Sequence, residues 1–101
     1  LSLERFIDLT SGGAQRVFGT ANKGRMAVSY DADLTIVDLK AKKTITHDQQ
    51  ATRCGWTPFD GFEATGWPVA TIVRGRVVMK DGELIGQAHG QPVRFQETLA
   101  G

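Results

Sequence analysis

One cysteine, Cys54, stands in 101 residues, so no disulfide can staple this chain internally, and a reducing compartment, the cytoplasm, is expected. No apolar run approaches the roughly 18 residues a spanning helix needs, and no charged start followed by an apolar core resembles a signal peptide. Charge of one sign is also missing: 12 Lys and Arg stand against 11 Asp and Glu, interspersed, for a net charge of +1. That balance offers no basic stripe for a nucleic acid and no patch for an anionic membrane. Lys40, Lys42 and Lys43 cluster, but they read as a solvated strand end. Glycine-rich phosphate cradles are absent. With only His47, His89 and Cys54 as His or Cys donors, and no His-x-His pair, a complete zinc site within this chain is not expected. A Cys-His nucleophile drawn from the same residues lacks any spacing signal. The chain opens on Leu1, inside a helical pattern, which suggests part of a longer polypeptide.

What is present is a strand signal. Residues 69–85 carry two runs rich in Val, Ile and Thr, punctuated by Arg74-Gly75 and Asp81-Gly82. Stiff β-branched side chains favour pleated backbone, and glycine permits the φ > 0 of a two-residue hairpin turn. Two such turns set Val73 opposite Arg76, Ile72 opposite Val77, Ala70 opposite Met79, Lys80 opposite Glu83 and Met79 opposite Leu84. One face then carries Ala70, Ile72, Val77, Met79 and Leu84, and it needs a partner layer.

Before this meander, Ser2 caps a short helix with Leu3, Phe6 and Ile7 on one face, and Ser11 offers a second N-cap for a helix ending at Gly19. Asp31 and Asp33 look catalytic at first sight. The preferred reading is that they turn the chain into a strand, Leu34 to Asp38, because Asp bonds its own backbone in turns. A second strand, Lys43 to Thr46, follows a lysine-rich turn, and His47 to Arg53 forms a helical turn or a loop. Residues 54–61 hold Trp56, Pro58, Phe59 and two glycines, a shaped loop whose aromatics plug one end of a β layer or pack on an adjoining domain. Phe62 to Thr65 is a further short strand, with Gly66-Trp67-Pro68 leading into the hairpins. Pro92 to Phe95 docks before a frayed tail.

Residues 24–38, Gly-Arg-Met-Ala-Val-Ser-Tyr-Asp-Ala-Asp-Leu-Thr-Ile-Val-Asp, resemble the C-terminal signature of the amidohydrolase superfamily, with Met26 for the usual aliphatic and Ser29 for a common glycine. Val73 to Val78 with Asp81-Gly82-Glu83 resembles the closing hairpin of those proteins, and Leu9 to Gly19 the segment after their last barrel strand. Arg53 to Gly61 followed by Thr65 to Val69 is similar to bacterial dihydroorotases of the cyclic-amidohydrolase group. Hydantoinases, dihydropyrimidinases and allantoinases share its Pro-aromatic-x-Gly core, and non-catalytic dihydroorotase-like homologues are a further possibility.

The resemblance implies a mainly β chain with two short N-terminal helices. Residues 1–22 would be the last helices of a (β/α)8 barrel, and residues 23–101 the C-terminal strands and tail of a small β-sandwich. It also implies a zinc-dependent parent hydrolase acting on a cyclic amide, completed by an upstream barrel portion and assembled as a homo-oligomer. By the family pattern every metal ligand lies upstream of Leu1. No catalytic, metal or cofactor-binding residue is therefore expected in this chain: neither Asp31, Asp33, His47 nor His89 matches a ligand position.

Overall fold

A computed structural model describes residues 1–96. Helix α1 (Leu3–Ile7) starts where the Ser2 hydroxyl accepts a hydrogen bond from the Arg5 N–H at 3.1 Å, satisfying one of the free amides of a helix start. It runs through a π-helical stretch (Asp8–Gly12) into α2 (Gly13–Phe18), which stops at Gly19 in the left-handed conformation. Ser11 therefore lies within the π-helical stretch and does not cap a second helix: α2 carries no side-chain cap. Gly13 explains the wide turn. A Cβ there would sit 2.6 Å from the Asp8 carbonyl oxygen, so only glycine lets its N–H reach back to that carbonyl. The Asp8 carboxylate then bridges Arg5 at 3.2 Å and Arg16 at 2.7 Å, tying α1 to α2.

The remainder is one antiparallel sheet in the order β1 (Leu34–Thr44), β2 (Glu63–Val73), β3 (Arg76–Lys80), β4 (Glu83–Leu84). Both expected turns form, with positive φ at Arg74, Gly75, Asp81 and Gly82, the primed geometry that suits strand twist. Val73 pairs with Arg76, Ile72 with Val77, Met79 with Leu84 and Lys80 with Glu83. One expected pair is wrong. Met79 lies opposite Thr71 and Lys80 opposite Ala70, because Val78 is an extra residue in β3. Such a bulge lets adjacent β-branched residues, Val77 and Val78, sit beside Ile72 while increasing local twist. Met79 and Leu84 consequently share the face of Thr71, not that of Ile72.

Strand lengths also differ from the expected ones. Lys40 to Lys43 makes no turn. Residues 39–41 bulge opposite Gly66 inside a continuous β1, and the Asp38 carboxylate accepts the Lys40 N–H at 3.0 Å. Likewise Pro68 does not end a strand. It pairs with Val37 within β2, next to a register shift and beyond the last β3 partner, where its missing N–H leaves no ladder bond unmade.

Among the described residues only Ala21 and Thr57 are buried, and no helix packs on the sheet. Helical and sheet parts are joined instead through residues 20–33 and through the segment at Phe95. That segment docks as expected: Thr20 bridges Phe95, the Ala21 N–H donates to the Arg94 carbonyl at 2.8 Å, and the Gln96 N–H donates to that of Gly19 at 2.8 Å. The tail expected to fray, residues 97–101, lies outside the described residues.

Candidate functional site

Two built features stand out, and neither is a catalytic constellation. The first gathers around Asp31-Ala32-Asp33, the segment that leads into β1. Lys23 lies in the loop after α2, and its ammonium group contacts Asp31 at 3.1 Å and also bonds Asp33. From the β2–β3 turn, the Arg74 guanidinium approaches Asp31 at 3.3 Å and Asp33 at 3.7 Å. Its backbone N–H donates to Asp33 Oδ1 at 2.8 Å, and the Gly75 N–H donates to the Ala32 carbonyl at 2.9 Å. Two carboxylates thus hold the tip of a hairpin 41 residues away and the loop leaving the helix. His89 closes the other side, its Nε2–H donating to the Val73 carbonyl at 2.7 Å. The expectation that the two aspartates turn the chain by bonding their own backbone is not met: residues 31–33 form no turn, and the carboxylates serve Lys23 and Arg74 instead. Sequence reasoning missed Lys23 and Arg74. A signal existed: a turn that wants φ > 0 at both positions carries Arg at the first, at φ 50°, where Asn or Gly is easier.

Electrostatics make this cluster a clamp. The hydrogen bond from Lys23 holds the Asp33 carboxyl below its usual range, helped by the Arg74 N–H and opposed by partial burial. Burial pushes the Lys23 ammonium down, but its bonds to Asp33 and Asp31 outweigh that and raise it. The Asp33 contribution is present above the ordinary carboxylate pKa and disappears as pH falls through the depressed folded value. That of Lys23 is present below the ordinary lysine pKa and disappears as pH rises past the raised one. Asp33→Asn is expected to lower the unfolding free energy of the intact protein by about 1 kcal/mol at neutral pH. The gap to the parent should stay constant down to mildly acid pH and close below the usual carboxylate range. Denaturant curves across pH check this. A gap that persists in strong acid would assign the loss to packing.

The second feature is the loop of residues 50–61. The Thr46 side chain caps the 3-10 turn (His47–Gln49), and the Gln49 side chain returns a bond to the Thr46 N–H at 3.2 Å. Thr57, the buried polar residue, donates its N–H to His47 Nδ1 at 3.1 Å, and its hydroxyl oxygen accepts the Phe59 N–H at 3.2 Å. Trp56, Phe59 and Phe62 remain exposed, so within the described residues they plug nothing. Cys54 is exposed nearby, and bonds from the Thr52 hydroxyl and the Trp56 N–H bring its thiol below the usual range.

His47, His89 and Cys54 do not converge, and among the described residues no group of three or more His, Cys, Asp or Glu could hold a metal. A cleft of about 390 Å³ between α2 and the Phe95 segment is lined by Thr10, Ala14, Phe18 and Val93 among others, with no acid or base on its wall. It has nothing with which to move a proton.

Comparison with known proteins follows from this geometry. A model of the amidohydrolase family matches residues 1–78. Dihydroorotase from Methanothermobacter thermautotrophicus is 51% identical over 70 residues, which is 69% of this chain and 16% of that protein. Dihydroorotase from Pyrococcus abyssi is 38% identical over 93 residues, 92% of this chain and 23% of that protein. Among solved structures, L-hydantoinase (dihydropyrimidinase) from Arthrobacter aurescens superposes with a TM-score of 0.79 at 39% identity, covering 86% of this chain and 20% of that one. The chain thus spans about a fifth of the length of the relatives it matches. With three quarters of its residues inside the family match, and its strands superposing on a hydantoinase, the chain belongs to the amidohydrolase family.

Proposed function

We propose that this chain is the C-terminal structural portion of a dihydroorotase-like amidohydrolase, cytoplasmic and homo-oligomeric, that interconverts L-dihydroorotate and N-carbamoyl-L-aspartate. The observation that carries the reading is the 51% identity to a dihydroorotase. The alternative, a hydantoinase, draws on a relative from Paenarthrobacter aurescens at 41% identity over 93 residues and on the shared fold. The exposed apolar side chains of the described residues suit a piece whose partner layer lies elsewhere in the parent. In this reading residues 1–22 are the last barrel helices and residues 23–101 belong to the β-sandwich.

The zinc centre that such an enzyme implies does not fit the residues present. His47 Nδ1 is occupied by the Thr57 N–H and His89 Nε2 by the Val73 carbonyl, so neither ring is free at that nitrogen to bind a metal. In the proposal the ligands and the proton-shuttling carboxylate reside upstream. This chain's residues close the barrel end and complete the β layer. No described helix is long and apolar enough to cross a membrane.

Steady-state turnover of the intact protein with dihydroorotate, hydantoin and dihydrouracil tests the reaction. Preference for either of the last two would move the assignment to the hydantoinase group. The structural role has its own test at Phe59, which is proposed to pack on the barrel. Phe59→Ala is expected to destabilise the intact enzyme by about 2 kcal/mol, through the lost burial of the ring against the barrel, while turnover of the folded fraction is kept. A sharp fall in turnover with an unchanged melting curve would place the ring at substrate instead.

A further inference from the structure

We propose that His47 is a pH-operated latch on the aromatic loop: its neutral ring holds the Thr57 amide and so seats Trp56 and Phe59, and protonation at Nδ1 releases them. The inference rests on the loop geometry alone, whichever cyclic amide the parent hydrolyses.

A backbone N–H can only donate, so the 3.1 Å contact from Thr57 N fixes His47 Nδ1 as the acceptor and puts the ring proton on Nε2. On that side the Asp60 carboxylate lies 3.6 Å away and suits an Nε2–H. The same Asp60 accepts the His47 backbone N–H at 3.0 Å, so ring and main chain are tied to one loop residue. Main-chain bonds fix the end of the loop without the His47 ring: the Gly61 N–H donates to the Ile45 carbonyl at 2.8 Å, and the Ile45 N–H to that of Phe62 at 2.9 Å. Its middle has no such ladder. There Thr57 is the anchor, buried, with its N–H on the imidazole and its hydroxyl under the Phe59 amide.

A proton arriving from solvent on Nδ1 turns the acceptor into a donor. Two donors then face each other, and a buried amide loses its partner, which is the costly side of the hydrogen-bond balance. Asp60 is the charged group that the described residues bring to this ring. It favours the imidazolium at Nε2 and cannot restore the lost acceptor at Nδ1. Asp48, on the same turn, has its carboxylate held by the Thr46 hydroxyl. Histidine is the side chain whose ordinary charge change falls between about pH 5 and 8, and that interval is where the latch is tested.

The test is amide hydrogen exchange in the intact protein, read for the peptide covering residues 55–60 between about pH 5 and 8 and corrected for intrinsic exchange. Protection should fall about tenfold at the acid end, the equilibrium equivalent of one lost hydrogen bond. His47→Asn places an oxygen where Nδ1 was and cannot be protonated. It should keep the neutral level of protection and lose the pH response. Asp60→Asn should keep the response, and so should Cys54→Ser, which removes the exposed thiol of the loop. A flat profile in the parent protein, a response surviving in His47→Asn, or one abolished in Cys54→Ser would each overturn the latch.

Discussion

Replacing Gly24 with alanine is expected to cost the intact protein about 3–5 kcal/mol, from left-handed strain and overpacking together. Gly24 stands at φ 95°, in a region L side chains rarely adopt. A Cβ there would lie 2.7 Å from Gln15 Cβ and 3.2 Å from the Ser11 carbonyl oxygen, so the loop could not lie against the helix. Gln15 cannot simply step aside, because its side-chain amide donates to the Thr20 carbonyl at 3.1 Å and helps start that loop. Displacing Gly24 also moves Lys23, the neighbour that pairs with both Asp31 and Asp33. Gly61→Ala is the control. Its φ is 82° but its Cβ would meet nothing within 4 Å, so only backbone strain of about 1 kcal/mol is expected. Denaturant midpoints of the two variants separate the terms, and equal losses would refute the close approach at Gly24.

Residues whose local chemistry decides their conformation were legible in the sequence. Ser2 caps α1, Gly19 stops α2, and Arg74-Gly75 and Asp81-Gly82 make the turns, because a cap, a left-handed stop and a primed turn depend on a few neighbouring atoms. The errors fell where a distant partner decides. Whether Lys40 to Lys43 turns or bulges depends on Gly66 across the sheet, and Pro68 is tolerated because β3 does not reach it. Val78 is an extra residue only relative to Thr71 and Ile72, which no alternation within β3 can reveal.

The same division holds for the site. Asp31 and Asp33 suggest a turn on local grounds, since Asp is a turn former, yet residues 31–33 form none and their carboxylates bind distant partners. Their ties to Lys23 and Arg74 needed the fold, because 41 residues separate Asp33 from Arg74. His47 gave no signal at all: its partners, Thr57 and Asp60, reach it only once the loop has closed. Family membership came through more fully than any of these. A signature spread over residues 9–83 is a property of the string, while a hydrogen bond is a property of the folded chain.

Purified on its own, this chain is expected to retain no zinc after dialysis and to leave dihydroorotate unhydrolysed. Tight zinc needs three or four deprotonated donors converging on one point, with outer groups holding their orientation. The donors here are dispersed: His47 is tied into the loop, His89 binds the hairpin tip, and Asp31 and Asp33 are neutralised by Lys23 and Arg74. Freeing Asp33 for a metal would open the clamp that joins the helical and sheet parts, and binding would have to offset that loss. Hydrolysis of a cyclic amide further requires a proton-transferring group within about 3 Å of the substrate, yet the apolar cleft beside α2 presents none. Instability would compound the defect. Leu3, Phe6, Ile7, Phe18, Trp56 and Phe59 are all exposed, and among the described residues no helix covers the sheet. Metal analysis and a dihydroorotate assay on the 101-residue chain, with and without the upstream polypeptide, give the answer. Activity restored only by that addition would support the structural role. One equivalent of bound zinc with turnover by the chain alone would show that these donors can converge, and the structural reading would fall.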